Sequence, residues 1–195
     1  MAIPDPTILR RALDAYPEIL ARQGVKRLPE LDTWYREELP ASIASRTPRF
    51  ITQDELVRLT EWKMARGVWR APNLALVRSN PREEVEERSR KALARIPHPT
   101  APIAELAKLK GVGPATASAA AAAAAPEVYP FFDELVAAQL PDLGPVAWTM
   151  KYYGKYAAGL QAMADRLGEG WTVTLLERAL WANAGGKVGE GAVGT

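Results

Sequence analysis

The sequence predicts an all-α fold. Apolar residues recur every three or four positions in several separate segments, helix-start chemistry precedes those segments, and no stretch alternates apolar and polar residues as a half-buried strand would. Asp5-Pro6 reads as an N-cap and a first helical residue, and Ile8, Leu9, Ala12, Leu13 and Tyr16 keep helical spacing until Pro17 kinks or ends the run. Residues 40–50 are expected to form a loop. Thr52-Gln53-Asp54-Glu55 is a capping box that launches a helix through Leu56, Leu59 and Trp62 toward Trp69. Asn80-Pro81 starts another helix, residues 100–109 form a further one, and Pro114 opens a helix that Pro126 stops. Later helices are expected over 147–166 and 174–183. The segment 185–195 is rich in glycine and reads as a flexible tail behind a single domain over 1–184, with a central bundle at about 52–140 and N- and C-terminal helices beside it.

A chain of 195 residues that is 48% hydrophobic and 25% charged can bury one sizeable core. There is no cysteine, which excludes disulfides, thiolate zinc sites and an iron–sulfur cluster. No apolar run has membrane-spanning length and no signal-peptide pattern opens the chain, so a monomeric protein of the nucleus or cytoplasm is expected, with no membrane partner. The net charge of +2 permits a nucleic-acid partner without demanding one. Charge placement says more: between Glu61 and Arg95 nine Lys and Arg face five Glu, a local balance of +4.

The stretch Leu109-Lys110-Gly111-Val112-Gly113, followed by Pro114 and Thr116-Ala117, is the most informative feature. Two glycines around one small apolar residue allow a sharp turn with bare N–H groups, and Pro114 sits where a first helical turn tolerates a missing donor. N–H groups at a helix N-terminus attract an anion through hydrogen bonds and the helix dipole, so a phosphate of a nucleic-acid backbone is a natural ligand. A truncated dinucleotide fingerprint is the rival reading of Gly111-x-Gly113. It needs a preceding apolar strand, whereas Ile103, Leu106 and Ala107 keep helical spacing.

The pattern Leu-x-Gly-Val-Gly-x-x-Thr-Ala, over about residues 100–140, resembles the hairpin of the helix-hairpin-helix DNA glycosylases, the HhH-GPD superfamily with its endonuclease III-like fold. In that family a catalytic Asp follows the hairpin by a fixed interval, and here Asp133 lies eighteen positions after Ala115, the position that holds the Schiff-base lysine of bifunctional members. The resemblance implies an all-α helical bundle of that type and a monofunctional glycosylase that binds damaged duplex DNA and hydrolyses the N-glycosidic bond of a flipped base with Asp133. It also implies that the N–H groups of Gly111, Gly113 and Thr116 hold a phosphate, with Val112 and Lys110 among the DNA-binding residues. Backbone carbonyls of Ala107, Leu109 and Val112 are implied to hold a monovalent cation when DNA is bound; no other cofactor is expected. The alternatives are a non-catalytic DNA-binding or scaffold protein with the same hairpin, and an α-helical interaction protein in which the hairpin is only a tight turn.

Read without the resemblance, Asp133 ahead of Glu134-Leu135 is also an ordinary helix N-cap, and both roles are compatible. An ionised carboxylate beside an anomeric carbon stabilises a cation-like sugar and positions water. In the segment 61–70, Trp62 and Trp69 suit base stacking, and Lys63, Arg66 and Arg70 suit phosphates; core packing beneath solvated cations is the equal alternative. Lys63 is also a lysine outside the hairpin with Schiff-base chemistry open to it. In the basic and aromatic cluster 148–156, which begins at Trp148, Tyr152 and Tyr156 read as core and Lys151 and Lys155 as a solvated edge, with DNA contact as the alternative. The acidic run 83–87 reads as a solvated face, His98 as a loop residue, and the alanine run 119–125 either as plain helix or as a device for close helix approach.

Overall fold

The computed structural model describes residues 5–189, and all regular structure among them is helical. The order is α1 (Pro6–Asp14), α2 (Tyr16–Arg22), α3 (Leu28–Thr33), α4 (Leu39–Ala44), α5 (Gln53–Arg66), α6 (Ala71–Arg78), α7 (Arg82–Leu93), α8 (Ala101–Leu106), α9 (Pro114–Ala124), α10 (Glu134–Ala137), α11 (Met150–Leu167) and α12 (Val173–Asn183). A π-helical turn at Trp34–Glu38 joins α3 to α4, and a 3₁₀ turn at Gly186–Val188 follows α12. No helix among the described residues is long and apolar enough to cross a membrane.

Local chemistry sets most of these starts. Asp5 caps α1 by accepting the Thr7 N–H at 2.7 Å, and Thr52 with Glu55 forms the expected capping box of α5. Thr149 and Thr172 cap α11 and α12 in the same way. Each such cap stabilises its helix by about 1 kcal/mol. Residues 40–44, expected as loop, are helical: Pro40 occupies the first turn, where no N–H is needed, and Leu39 and Ile43 bury one face. The helix from the capping box stops at Arg66 rather than reaching Trp69, because Gly67 takes a non-helical conformation. The 3₁₀ turn buries Gly186 against Gln23 and Trp181, so chain expected as tail is ordered through Val188; residues 190–195 lie outside the described residues.

The alanine helix α9 is the axis of the molecule. Its residues from Ala115 to Ala123 are all buried, as expected for a helix apolar on every side, and α4, α5 and α8 pack around it. Small side chains let those helices come close. The first and last helices meet, with α12 against α1 and α2.

The π turn brings both Trp34 and Tyr35 into the core. Tyr35 stacks on Trp62 with centroids 3.6 Å apart and donates its hydroxyl to the Ala119 carbonyl at 2.9 Å. Trp62 is fully buried and donates its indole N–H to Asp32 at 2.8 Å. It is therefore a core residue and has no face free for a base, contrary to the stacking role expected of it.

Asp32 organises this end of the core. Besides Trp62 it accepts the Tyr16 hydroxyl at 2.8 Å and Arg36 Nε at 3.0 Å. Burial would raise its carboxyl, but Arg36, Arg66 and the bonds from Trp62 and Tyr16 outweigh burial and hold it below its usual 3.8. Its contribution to stability is therefore full above pH 3.8 and is lost as pH falls past that value toward the depressed one. Asp32→Ala leaves three buried donors without an acceptor and is expected to cost about 3–5 kcal/mol in urea unfolding at neutral pH. The difference between parent and variant should shrink as the pH falls below 3.8; a difference unchanged down to full acid unfolding would contradict this account.

Candidate functional site

The turn between α8 and α9 is held from outside by Asn80, which follows α6 and is 1% exposed. Its Oδ1 accepts the Lys110 N–H at 2.8 Å, and its Nδ2 donates to the Lys110 and Val77 carbonyls, each at 2.9 Å. Gly111 sits at φ +72°, and a Cβ there would lie 2.9 Å from the Asn73 carbonyl oxygen and from Val77 Cγ2. Glycine is required there by handedness and by the close approach of α6.

Gly113 is different. Its backbone is extended (φ −90°, ψ −179°), and a Cβ there would meet nothing within 4 Å. Gly111 alone makes the bend, and Gly113 leaves clear space in front of α9. Val112 is buried and its N–H donates to the Leu109 carbonyl at 3.1 Å, so it closes the turn instead of offering a donor to phosphate. That bond already engages the Leu109 carbonyl, one of the three proposed with Ala107 and Val112 as cation ligands. The first bond within α9 runs from the Ala117 N–H to the Gly113 carbonyl at 2.9 Å. The N–H groups of Ala115 and Thr116 stand in the first turn, where a helix supplies no acceptor. Lys110 is exposed at the tip.

Asp133 is placed by the aromatic cluster of α11. The Tyr153 and Tyr156 hydroxyls donate to the carbonyls of Pro130 (3.2 Å) and Phe131 (2.6 Å), and the Phe132 N–H donates to Ser118 Oγ of α9 (2.9 Å). The segment ahead of the acid is thereby pinned to the two long core elements. Asp133 caps α10, its Oδ1 accepting the Leu135 N–H at 2.8 Å. Its Oδ2 faces Arg66 Nε at 3.6 Å, and Arg66 forms a close ion pair with Glu177 of α12. Burial pushes the Glu177 carboxyl above its usual value against the pull of Arg66. Arg66 is 2% exposed and committed to these two carboxylates, so it is a strut behind the acid and not the phosphate contact expected. Arg66 Nε and Nη1 and Trp181 Nε1 make no hydrogen bond within the protein.

Two depressions meet here. One, of about 80 Å³, is lined by Asp133, Arg66, Trp181 and Val68 among others. The other, of about 230 Å³, is lined by Gly111, Gly113, Ala115 and Thr116. Lys63, Arg70, Glu134 and Trp148 line both, so the two form one cleft that runs from the glycine turn to the acid. Trp148, which packs on Phe132 at 4.7 Å, stands at the rim 49% exposed. Trp69 is 54% exposed on the loop between α5 and α6 and lines neither depression.

The basic excess of 61–95 is largely neutralised in place. Arg78 pairs with Glu61, Arg88 with Glu84 and Glu105, Arg90 with Glu86, and Lys91 with Glu87. Lys63 and Arg70 form no ion pair among the described residues, and both face the cleft. His98 lies in the loop before α8, its Nδ1 accepting the Ala101 N–H at 3.1 Å. Sequence reasoning missed Glu177 and Asn80. Asn80 left a signal, as the residue before Pro81, and that signal was read as a helix start; Trp148 belongs to the basic and aromatic cluster 148–156 that the sequence marks as open to DNA contact.

Compared with known proteins, the chain matches no protein-family model, no curated protein and no solved structure. The functional reading therefore rests on the geometry of the cleft and on the spacing from Ala115 to Asp133.

The two glycines give opposite expectations. Gly111→Ala should cost about 1–3 kcal/mol through backbone strain and the clash with α6. Gly113→Ala should unfold at the same urea concentration as the parent. Equal destabilisation by the two substitutions would contradict the division of roles drawn here.

Proposed function

We propose that the chain is a DNA glycosylase-like base-excision protein that holds duplex DNA at the glycine turn and hydrolyses the N-glycosidic bond of a flipped, damaged base with Asp133. The supporting observation is the single cleft: the open N-terminus of α9 and the carboxylate of Asp133 line depressions that share Lys63, Arg70, Glu134 and Trp148. A strand whose phosphate rests on the N–H groups of Gly111, Gly113 and Thr116 brings a neighbouring sugar toward Asp133. Lys110, Lys63 and Arg70 add positive charge along that path. A monovalent cation held by the carbonyls of Ala107, Leu109 and Val112 belongs to the DNA-bound state.

As its base leaves, the deoxyribose develops positive charge, and a carboxylate fixed beside it stabilises that charge and orients the attacking water. The cap bond to Leu135 and the ion pair with Arg66 hold Asp133 in one orientation, so little reorganisation is needed. Ala115 stands where the resemblance places a Schiff-base lysine, which makes Asp133 the hairpin family's remaining reactive group here.

The volume beside the acid favours a second reading. About 80 Å³ is well below the roughly 300 Å³ at which small-molecule pockets begin, so a base enters only if Trp148 and the loop at 67–70 swing outward. A non-catalytic DNA-binding or scaffold protein needs no such movement. The experiment that separates the two is base release from duplexes carrying alkylated, oxidised, deaminated or mismatched bases. The proposal expects release by the parent, loss of at least about 100-fold in Asp133→Asn, and retained, steeply salt-dependent binding. No release from any duplex by a parent that binds DNA would leave the scaffold reading.

A further inference from the structure

We propose that the hollow between α2, α3 and α12 is a binding site for a phosphate group, as the free ion or as a phosphate monoester, held by the guanidinium groups of Arg36 and Arg178.

The hollow has a volume of about 350 Å³ and is lined by Tyr16, Leu20, Pro29, Arg36 and Arg178 among others. That volume falls within the roughly 300–1,000 Å³ of small-ligand sites. None of its lining residues belongs to the cleft that joins the glycine turn to Asp133, so the site stands apart from the DNA reading.

Arg178, on α12, has no counterion. It makes no hydrogen bond or ion pair among the described residues, and its guanidinium lies 4.6 Å from the centre of the Tyr16 ring. Its Nε is enclosed, but its two terminal nitrogens are not, and they are what an entering anion meets. Arg36 stands on the π turn, an uncommon element that occurs mostly at functional sites, with its guanidinium 5.1 Å from the same ring. It gives Nε to Asp32 and Nη2 to the Tyr16 hydroxyl, which leaves Nη1 without a partner among the described residues.

The neighbouring carboxylates do not fill this role. Asp32 already accepts from Tyr16, Arg36 and Trp62, and Glu177 is paired with Arg66. Glu37 is exposed at the rim and pairs with neither arginine. Burial, and after it the charge of Arg36, push the Arg178 guanidinium below its usual pKa, with Tyr16, Asp32 and Glu177 opposing them. A lysine crowded in this way could shed its proton, but a guanidinium keeps its charge, so relief has to come from an anion. Two guanidinium groups with free N–H donors above one ring offer the forked, charge-assisted bonds that a phosphate accepts. Pro17, Leu20 and Pro29 form an apolar wall beside them, which suits the organic part of a monoester.

The test follows thermal unfolding of the full chain at about pH 8, where phosphate is a dianion, with inorganic phosphate or phenyl phosphate added and ionic strength held constant with sodium chloride. Both probes should raise Tm along a saturating curve. Tighter binding of phenyl phosphate assigns the monoester, and equal binding assigns the free ion. Arg178→Met, which keeps an apolar stem and removes the charge, should weaken both probes at least about tenfold. Amide shifts of the labelled parent should centre on Tyr16, Arg36 and Arg178, and this map decides the matter should the variant not fold. A Tm that responds no more than to sodium chloride, a response kept in Arg178→Met, or shifts confined to residues 111–116 would overturn the proposal. None of these results bears on base release or on duplex binding, so the glycosylase reading stands or falls separately.

Discussion

Arg66 carries the interaction on which the candidate site depends. It ends α5, reaches Glu177 on α12, and stands 3.6 Å from the carboxylate of Asp133, so three distant parts of the chain converge on one guanidinium. A buried ion pair of this kind adds little net stability over an apolar core, but removing one partner strands a charge and costs several kcal/mol, so the arrangement specifies geometry. It fixes the side chain of Asp133 beside Arg66 at the mouth of a cleft. The same guanidinium lies over the rings of Trp62, Phe131 and Trp181, which excludes water behind it. Trp62, under that guanidinium, donates to Asp32, which also accepts from Tyr16 and Arg36, so the N-terminal helices are tied to the site.

The glycine turn is rigid for a separate reason. Asn80 grips the backbone of Lys110 from both sides, Gly111 is wedged against α6, and α9 behind the turn is buried along its length. The proposed phosphate contact needs its N–H groups fixed before a ligand arrives, and the turn is fixed by α6 and Asn80, outside it. Ser118 links the two halves: it stands on α9 and accepts the Phe132 N–H, setting the distance from the turn to the acid.

Local signals were legible wherever they act locally. The capping box at Thr52, the Asp5 cap, the Pro126 stop and the burial of Tyr152 and Tyr156 all follow from residues within one helical turn of each other. The short helices α3 and α4 were not legible, because prolines at their starts read equally as loop punctuation, and only tertiary burial of Leu28, Leu31, Leu39 and Ile43 decides the matter. Trp62 and Arg66 looked like a nucleic-acid surface because aromatic and basic residues alternate there. Their burial depends on Asp32, thirty positions earlier, and on Glu177, more than a hundred later, and no local pattern announces such partners. Of the cations in that segment, Lys63 and Arg70 reach the cleft, and the spacing of α5 places Lys63 one turn from Arg66.

The central claim is that the glycine turn and the acid serve one DNA-binding cleft. Amide chemical shifts of the isotope-labelled chain, followed while a short duplex with an abasic analogue is added at low salt, test it most directly. The account predicts that Gly111, Gly113 and Thr116 shift together with Asp133, Glu134 and the residues around Lys63, along a common saturation curve that weakens as salt rises. Shifts confined to the glycine turn, or to a surface away from both ends of the cleft, would contradict it.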